Sequence, residues 1–181
     1  MTINYYLDKD DFLNYQLYTA SQSEHIKKKR LRGRIVLTLV YFLLALYSYS
    51  TDRTGLMIVA CLVAVLGYFL YPLWDRKRYI RHYEQFIEAH RKERAGKKAT
   101  LTFSDDFIYA VEGEMESKIP TTEIEEITEI NTNIFMKLKS GQSLILSKNK
   151  IGELTALILF LKAFAEQRGI NYLQEQNWKW R

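Results

Sequence analysis

The residues best able to do chemistry in this sequence are two histidines and the carboxylates between them. His82 and His90 lie eight residues apart in a segment with helical periodicity, with Glu84 and Glu88 between them. Two histidines on one helix typically bind zinc when they are four residues apart, because both side chains then point at one ion. That spacing is missing here, so we expect solvated side chains and no metal.

Other residue types give no better prediction of catalysis. The sequence has no glycine-rich phosphate loop and no GxSxG motif, and its single cysteine, Cys61, has no partner for a disulfide within the chain. An acidic cluster at Glu123, Glu125, Glu126 and Glu129 could receive a cation or a basic partner, but such clusters are more often solvated faces. We expect a protein that is not an enzyme and uses no cofactor.

Basic residues form two clusters that flank a long apolar region, within a net charge of +5. Their members are Lys27, Lys28, Lys29, Arg30, Arg32, Arg34, Arg76, Lys77, Arg78 and Arg81. Near a membrane such clusters attract anionic lipid headgroups by about 1 kcal/mol per residue. Nucleic acid is the rival partner of a basic patch, but a membrane location explains these charges without it. A purely orienting role for the clusters is the preferred interpretation, and specific recognition of lipid headgroups is the alternative.

The apolar region consists of two runs, residues 35–49 and 55–71, joined by a polar turn. The only charges between residues 35 and 74 are Asp52 and Arg53, both in that turn. A bilayer is crossed by roughly 17–25 mostly apolar residues, and each run contains nine Leu, Ile, Val or Phe residues. These contribute about −3 to −5 kcal/mol to the insertion of each run. We predict a transmembrane helical hairpin with spans at about 34–51 and 55–74; a hairpin buried in a soluble protein is the alternative.

The flanking charges predict the orientation of the hairpin. Basic residues close to the ends of spans stay on the cytoplasmic side. Ten of them flank the outer limits of the two runs, and only Arg53 lies in the turn. We therefore expect a multi-pass membrane protein with both termini in the cytoplasm.

Small residues on the second run predict where helices approach each other. Ala60, Ala64 and Gly67 recur on one helical face, and small side chains let transmembrane backbones pack closely. Packing against the first helix of the same chain is the preferred interpretation. Packing against a second copy is the alternative, and it would suit a small oligomeric transporter or channel subunit.

The segments around the hairpin predict an α+β protein. Residues 3–7 suit a strand, one helix is expected from about Asp10 into the first span, and an amphipathic helix over residues 75–94 is followed by a linker at 95–98. Six strands are predicted at 99–103, 107–111, 115–119, 124–130, 134–139 and 143–147. The spacing of Ile124, Ile127 and Ile130 also suits a helical turn, which is the alternative for 124–130. A final helix ends at Gly169. The predicted domains are 1–98 and 99–181, and a seventh strand forms if residues 3–7 return to the sheet.

This order of elements resembles the YcxB-like family of bacterial membrane proteins. The resemblance rests on the Tyr-rich opening strand, the polar helix at 12–18, the basic residues 27–34, the hairpin, the segment 99–107, Lys118-Ile119-Pro120 and the final helix. It implies the bacterial cytoplasmic membrane and a cytoplasmic barrel similar to a pleckstrin-homology domain, capped by the last helix. It implies no reaction. The loop at 104–106 contains two aspartates, so phosphate binding there is not expected.

The function expected from these features is that of a membrane-anchored binding, scaffold or regulatory protein. Its expected partners are a bilayer with anionic headgroups, a protein bound by the cytoplasmic β domain and, as a possibility left open, a second copy of the chain. A transporter or channel subunit is the second alternative, and a membrane enzyme is the third.

Overall fold

In a computed structural model, which describes residues 1–90 and 96–180, the chain forms four α-helices and eight β-strands. The helices are α1 (Lys9–Gln22), α2 (Glu24–Ser50), α3 (Thr54–His90) and α4 (Leu154–Arg168). The strands are β1 (Thr2–Tyr6), β2 (Lys98–Phe103), β3 (Phe107–Glu112), β4 (Met115–Pro120), β5 (Ile124–Ile130), β6 (Asn133–Leu138), β7 (Ser143–Ser147) and β8 (Asn171–Glu175). The expected α+β composition with two long apolar helices is confirmed.

The described residues divide into two compact units. One, the sheet unit, contains Met1–Gln16 and Tyr83–Lys179, and the other, the hairpin unit, contains Leu17–His82 and Trp180. The hairpin unit is therefore inserted into the sequence of the sheet unit. The predicted domains, 1–98 and 99–181, divide the sequence at a single point and stay a prediction. Residue 95 of the predicted linker and residues 91–94 of the predicted helix lie outside the described residues.

The first sheet contains β1, β2, β3 and β4 in that order, with every neighbouring pair antiparallel. Strand β1 returns to pair with β2, with Thr2 opposite Thr102, so the strand that the sequence left open is present. Alternate residues of one face, including Ile3, Leu101 and Ile108, are buried. This alternation is what a sheet with one core-facing side requires.

The second sheet has the order β7, β6, β5, β8. Strands β5 to β7 are antiparallel neighbours, whereas β8 runs parallel to β5. Strand β8 was not predicted. The predicted single closed barrel is wrong for the described strands, which form two open four-stranded sheets. Ile127, Ile134, Met136 and Leu146 are fully buried here, so this sheet contributes much of the core.

Helix α4 has an apolar stripe that faces the core. Leu157, Leu161, Phe164 and Ala165 are buried, and the Phe164 ring meets that of Phe103 at a centroid distance of 5.9 Å. The helix ends at Gly169 as expected. This residue has φ 63°, a left-handed conformation that favours glycine.

The helices before and after the hairpin turn differ from the prediction at one point. A single helix was expected from Asp10 into the first span, but the chain breaks between α1 and α2. The Ser23 hydroxyl caps α2 by accepting a hydrogen bond from the Ile26 N–H at 3.4 Å. Helix α3, in contrast, runs without interruption through Pro72 to His90.

Candidate membrane-anchoring site

Helices α2 and α3 are long and apolar enough to cross a membrane. Only 11% of the most apolar 18-residue window of each helix is buried, whereas most of such a window is buried in the core helix of a soluble protein. Large apolar side chains stand exposed along both helices, among them Val36, Val40, Leu43, Leu46, Ile58, Leu62, Val65 and Phe69. The two helices thus present an uncovered apolar surface.

The turn between these helices keeps its charges at one end of the hairpin. Asp52 adopts a left-handed backbone conformation with φ 53°, which aspartate tolerates better than most residues. The Arg53 N–H donates a hydrogen bond to the Ser48 carbonyl at 2.9 Å. Both charged side chains are exposed, so neither lies among the apolar side chains of the hairpin.

Small residues lie where α2 and α3 approach each other. Ala60 and Ala64 are 2% and 7% exposed. A Cβ atom added at Gly67 would stand 3.5 Å from the Leu37 Cδ2 atom of α2. The structure therefore places part of this predicted face against α2 of the same chain, where small side chains permit close packing.

Gly33 on α2 also permits close contact between the two helices. A Cβ atom added at Gly33 would overlap the hydroxyl of Tyr71 on α3. The Tyr71 side chain can occupy this position only because residue 33 has no side chain. Gly33 was not singled out from the sequence, since a glycine among basic residues gives no local sign of a contact 38 positions away.

Pro72 and Arg34 are linked through the backbone carbonyl of Tyr68. A proline has no N–H, so Pro72 cannot donate the helical hydrogen bond to the carbonyl of Tyr68, four residues earlier. The Arg34 Nε atom of α2 donates to that carbonyl at 2.8 Å. Its guanidinium also lies 3.6 Å from the centroid of the Tyr68 ring. Arg34 thus supplies the donor that Pro72 lacks.

A second arginine is held at the base of the hairpin. The Arg30 Nε atom donates to a carboxylate oxygen of Asp75 at 2.7 Å, and the Asp75 side chain is 2% exposed. The Arg30 guanidinium carbon lies 4.7 Å from the Trp180 ring centroid and 5.8 Å from that of Tyr79. Burial, with the nearby Asp75 carboxylate, raises the pKa of Tyr79 above its ordinary value.

The ten predicted headgroup-binding residues therefore divide into two groups. Arg30 and Arg34 are partly buried and bonded within the hairpin. The other eight are exposed, namely Lys27, Lys28, Lys29, Arg32, Arg76, Lys77, Arg78 and Arg81. Of these, Lys27 pairs with the exposed Glu24 and Arg78 lies over the Trp74 ring. Such exposed contacts are weak, so the eight side chains are able to reach an anionic surface.

Glu129, one member of the predicted acidic cluster, lies in the core of the sheet unit. Its side chain is 1% exposed and accepts hydrogen bonds from Lys148 at 2.8 Å, Tyr172 at 2.9 Å and Gln174 at 3.0 Å. Burial alone would raise the pKa of Glu129, but these donors outweigh it and hold the pKa below its ordinary value. This carboxylate is a structural centre that links β5 to β8.

Glu125 and Glu126 of that cluster do not share a site with Glu129. Glu125 makes an exposed ion pair with Lys137 at 3.0 Å, and a Glu126 oxygen accepts a hydrogen bond from the Thr128 hydroxyl. Glu126 and Glu129 are three residues apart on β5 and therefore lie on opposite faces, and Glu125 lies where the pairing of β5 with β6 is irregular, between Ile124 and Glu126. The predicted acidic cluster is thus dispersed.

The start of α1 is tied to the second sheet by another polar network, in which Asp11 and Asn133 are buried. Asp8 and Asp11 each accept a hydrogen bond from the other's backbone N–H, which caps the helix. Asp11 also accepts from Asn133 at 2.8 Å and from Lys150 at 2.7 Å. Burial would raise the pKa of Asp8, but the Lys150 ammonium and the Asp11 N–H lower it below its ordinary value.

The two histidines and the glutamates between them, which the sequence offered for chemistry, do not form a metal site. The His90 ring stacks on Phe86 with centroids 4.7 Å apart. In the part of the chain that the structure describes, no three His, Cys, Asp or Glu residues are grouped so as to hold a metal ion. An open cleft of about 750 Å³ is lined partly by Asp105, Asp106 and Arg168. The Arg168 guanidinium donates a hydrogen bond to the Asp105 carbonyl at 2.6 Å.

Comparison of the chain with protein-family models, curated proteins and solved structures found no match. The resemblance to the YcxB-like family therefore stays a prediction. The geometry of the hairpin and of the two sheets is what remains to support a function.

Proposed function

We propose that this chain is a non-enzymatic membrane protein whose hairpin of α2 and α3 crosses a bilayer. The sheet unit then serves as a binding, scaffold or regulatory module at the cytoplasmic face. The observation that supports this best is the exposed apolar surface of the two helices. Exposed apolar patches larger than a few hundred Å² mark an interaction with a membrane or partner, and helices satisfy all their own backbone hydrogen bonds in lipid.

The distribution of charge supports the proposed orientation. Asp52 and Arg53 lie at the turn, and the eight exposed basic residues lie at the opposite ends of the apolar segments. The positive-inside rule then assigns those ends to the cytoplasm. Anionic headgroups are the partners that these residues bind in this proposal. The bacterial inner membrane, the YcxB-like family and a module similar to a pleckstrin-homology domain come from the resemblance and belong to the same proposal.

Confinement is the mechanism by which such an anchor acts. A module held at a membrane meets a partner on the same surface at a greatly increased effective concentration, without any new contact. The partner in this proposal is a protein recognised by the sheet unit. Crosslinking in native membranes, followed by comparison of the full chain with a chain truncated after the hairpin, identifies that partner; partners that persist after truncation count against the proposal.

Cys61 provides a direct test of the membrane anchor. It is exposed on α3, so the protein itself does not shield its thiol from a reagent. If α3 crosses lipid, a water-soluble maleimide labels Cys61 slowly in intact membranes and at least about tenfold faster in denaturant, because thiolates form poorly in hydrocarbon. The control is Arg53→Cys with Cys61→Ser, where the thiol lies at the exposed turn and reacts readily from outside the cell. Equal labelling at the two positions in intact membranes overturns the proposal.

A further inference from the structure

We infer that the outer edge of β4 pairs antiparallel with β4 of a second copy of this chain, centred on Ser117. The pairing would join two first sheets into one continuous eight-stranded sheet. It concerns the sheet unit alone and does not depend on the hairpin crossing a membrane. The partner is therefore the chain itself, recognised through backbone hydrogen bonds and a self-complementary pattern of charge.

Strand β4 offers an open edge. It is the last strand of the first sheet, and within residues 1–90 and 96–180 no strand pairs with its outer side. Met115, Glu116, Ser117, Lys118 and Pro120 are exposed and Ile119 is half-buried. An exposed edge presents N–H and C=O groups that add readily to another strand.

The register of β4 with β3 defines which backbone groups face outward. Met115 lies opposite Glu112 across the turn, and the Thr121 N–H donates to the Asp106 carbonyl at 2.8 Å. In an antiparallel ladder the residues of a strand bond alternately to one side and the other. Odd-numbered residues of β4 therefore bond to β3, and Glu116 and Lys118 direct their N–H and C=O groups outward.

The charges on β4 match those of a second β4 in only one alignment. With Ser117 opposite Ser117 of the second copy, each Glu116 lies opposite a Lys118, and Met115 lies opposite Ile119. Moving the centre by one residue would place Glu116 opposite Glu116 or Lys118 opposite Lys118, and like charges in that position are unfavourable. The Lys118 ammonium, 3.9 Å from the Phe107 ring centroid, is already held on the face that Glu116 shares. Pro120 has no N–H, so the new ladder ends there.

Charged and proline residues on an edge strand also occur as protection against association. That interpretation predicts that the chain remains a monomer, whereas ours predicts a specific register. An extended peptide from another protein is a further occupant of the same edge, and it would leave copies of this chain unlinked to one another.

Cysteine crosslinking of the full chain tests the register, in detergent or in membranes and with Cys61→Ser in every variant. Directly opposed residues have Cα atoms about 4.5–5.5 Å apart, within disulfide range, whereas atoms more than about 7 Å apart are not bridged. We expect Ser117→Cys to form a covalent dimer under mild oxidation. Glu116→Cys alone and Lys118→Cys alone should not, but a mixture of the two should. Failure of Ser117→Cys to crosslink, or equal crosslinking of all single variants, overturns the inference.

Charge reversal tests the same contact without cysteines. Each dimer contains two Glu116–Lys118 pairs, so Glu116→Lys or Lys118→Glu alone should weaken dimerisation, measured by sedimentation, by about tenfold or more. The double variant restores opposite charges and should dimerise like the original chain. Glu114→Lys is the control, since it lies in the turn before β4. Single reversals without effect, or a double variant that stays weak, contradict the proposed pairing.

Discussion

At the scale of single residues, the molecule depends on a few buried charges that are fully bonded. Glu129 is enclosed and meets the Lys148 ammonium, whose own side chain is only 10% exposed. Removing one partner of a buried pair leaves the other charged and desolvated, which costs about 3–5 kcal/mol. Glu125 on β5 and Lys137 on β6 are about half exposed, and such pairs contribute about 0–1 kcal/mol.

We therefore expect Glu129→Gln to lower the free energy of unfolding by roughly 3 kcal/mol. For a chain of this size that corresponds to a fall in melting temperature of about 6–12 °C. Glu125→Gln is the matched control and should shift the melting temperature by no more than about 3 °C. Equal shifts for the two variants would show that the Glu129 network does not stabilise the fold.

Glu129 and Asp8 make the fold sensitive to acid. The pKa values of Glu129 and Asp8 are lowered in the folded chain from ordinary values of 4.5 and 3.8. The unfolded chain then binds more protons, so their contribution to stability is complete above about pH 4.5 and is lost as the pH falls through the lowered values. At pH values below about 4.5 we expect the melting temperature to decrease as the pH is lowered. This decrease should be less steep in Glu129→Gln than in the original chain. An unchanged slope in this variant would contradict the assignment.

At the scale of elements, sequence patterns predicted the strands and helices whose formation depends on residues close together in the sequence. The six central strands and α4 follow from alternation, from turn residues and from the glycine at 169, and the structure has them within a residue or two. Strand β8 was missed because it is defined by its parallel pairing with the distant β5, not by its own short polar sequence. The break at Ser23 was missed because a serine cap resembles an ordinary polar residue within a helix.

Of the candidate site, the sequence predicted the apolar runs, the flanking basic clusters and the small residues of α3. It did not separate the eight exposed basic residues from Arg30 and Arg34, because their acceptors, Asp75 and the Tyr68 carbonyl, lie 45 and 34 positions away. A missing N–H at Pro72 was the one available sign that the Tyr68 carbonyl needed another donor.

A double-mutant cycle checks the link between Arg34 and Pro72. Arg34→Met leaves the Tyr68 carbonyl without its donor and should lower the free energy of unfolding by about 1–3 kcal/mol. In a Pro72→Ala background the backbone N–H gained at position 72 can bond that carbonyl, so the same change should cost at least about 0.5 kcal/mol less. Arg32→Met, an exposed neighbour, serves as the control. Additive effects of Arg34→Met and Pro72→Ala would contradict the link.

At the scale of the whole molecule, the proposed anchor and the exposed basic residues predict a preference for anionic lipid. Each exposed Lys or Arg contributes about 1 kcal/mol near a charged surface. Replacing Lys27, Lys28, Lys29 and Arg32 by Gln should therefore reduce the enrichment of anionic lipid around the purified protein at least about tenfold. Lipids co-isolated in native nanodiscs provide the measurement.

The control for that experiment is Arg30→Gln, which removes the same charge from a position already bonded to Asp75. It should lower thermal stability while changing lipid enrichment little. Equal loss of anionic lipid in Arg30→Gln and in a single exposed variant such as Lys28→Gln would show that the two groups of basic residues do not differ.

The pairing of β1 with β2 has a consequence for biogenesis. Thr2 and Thr102, which face each other across these strands, are 100 residues apart in sequence. At a translation rate of about 5–20 residues per second, the ribosome needs about 5–20 seconds between them. Both apolar helices emerge during that interval, so the first sheet is completed only after the hairpin has been synthesised. A pause in translation within α3 would therefore lengthen the time for which β1 remains without its neighbour, accessible to chaperones and proteases.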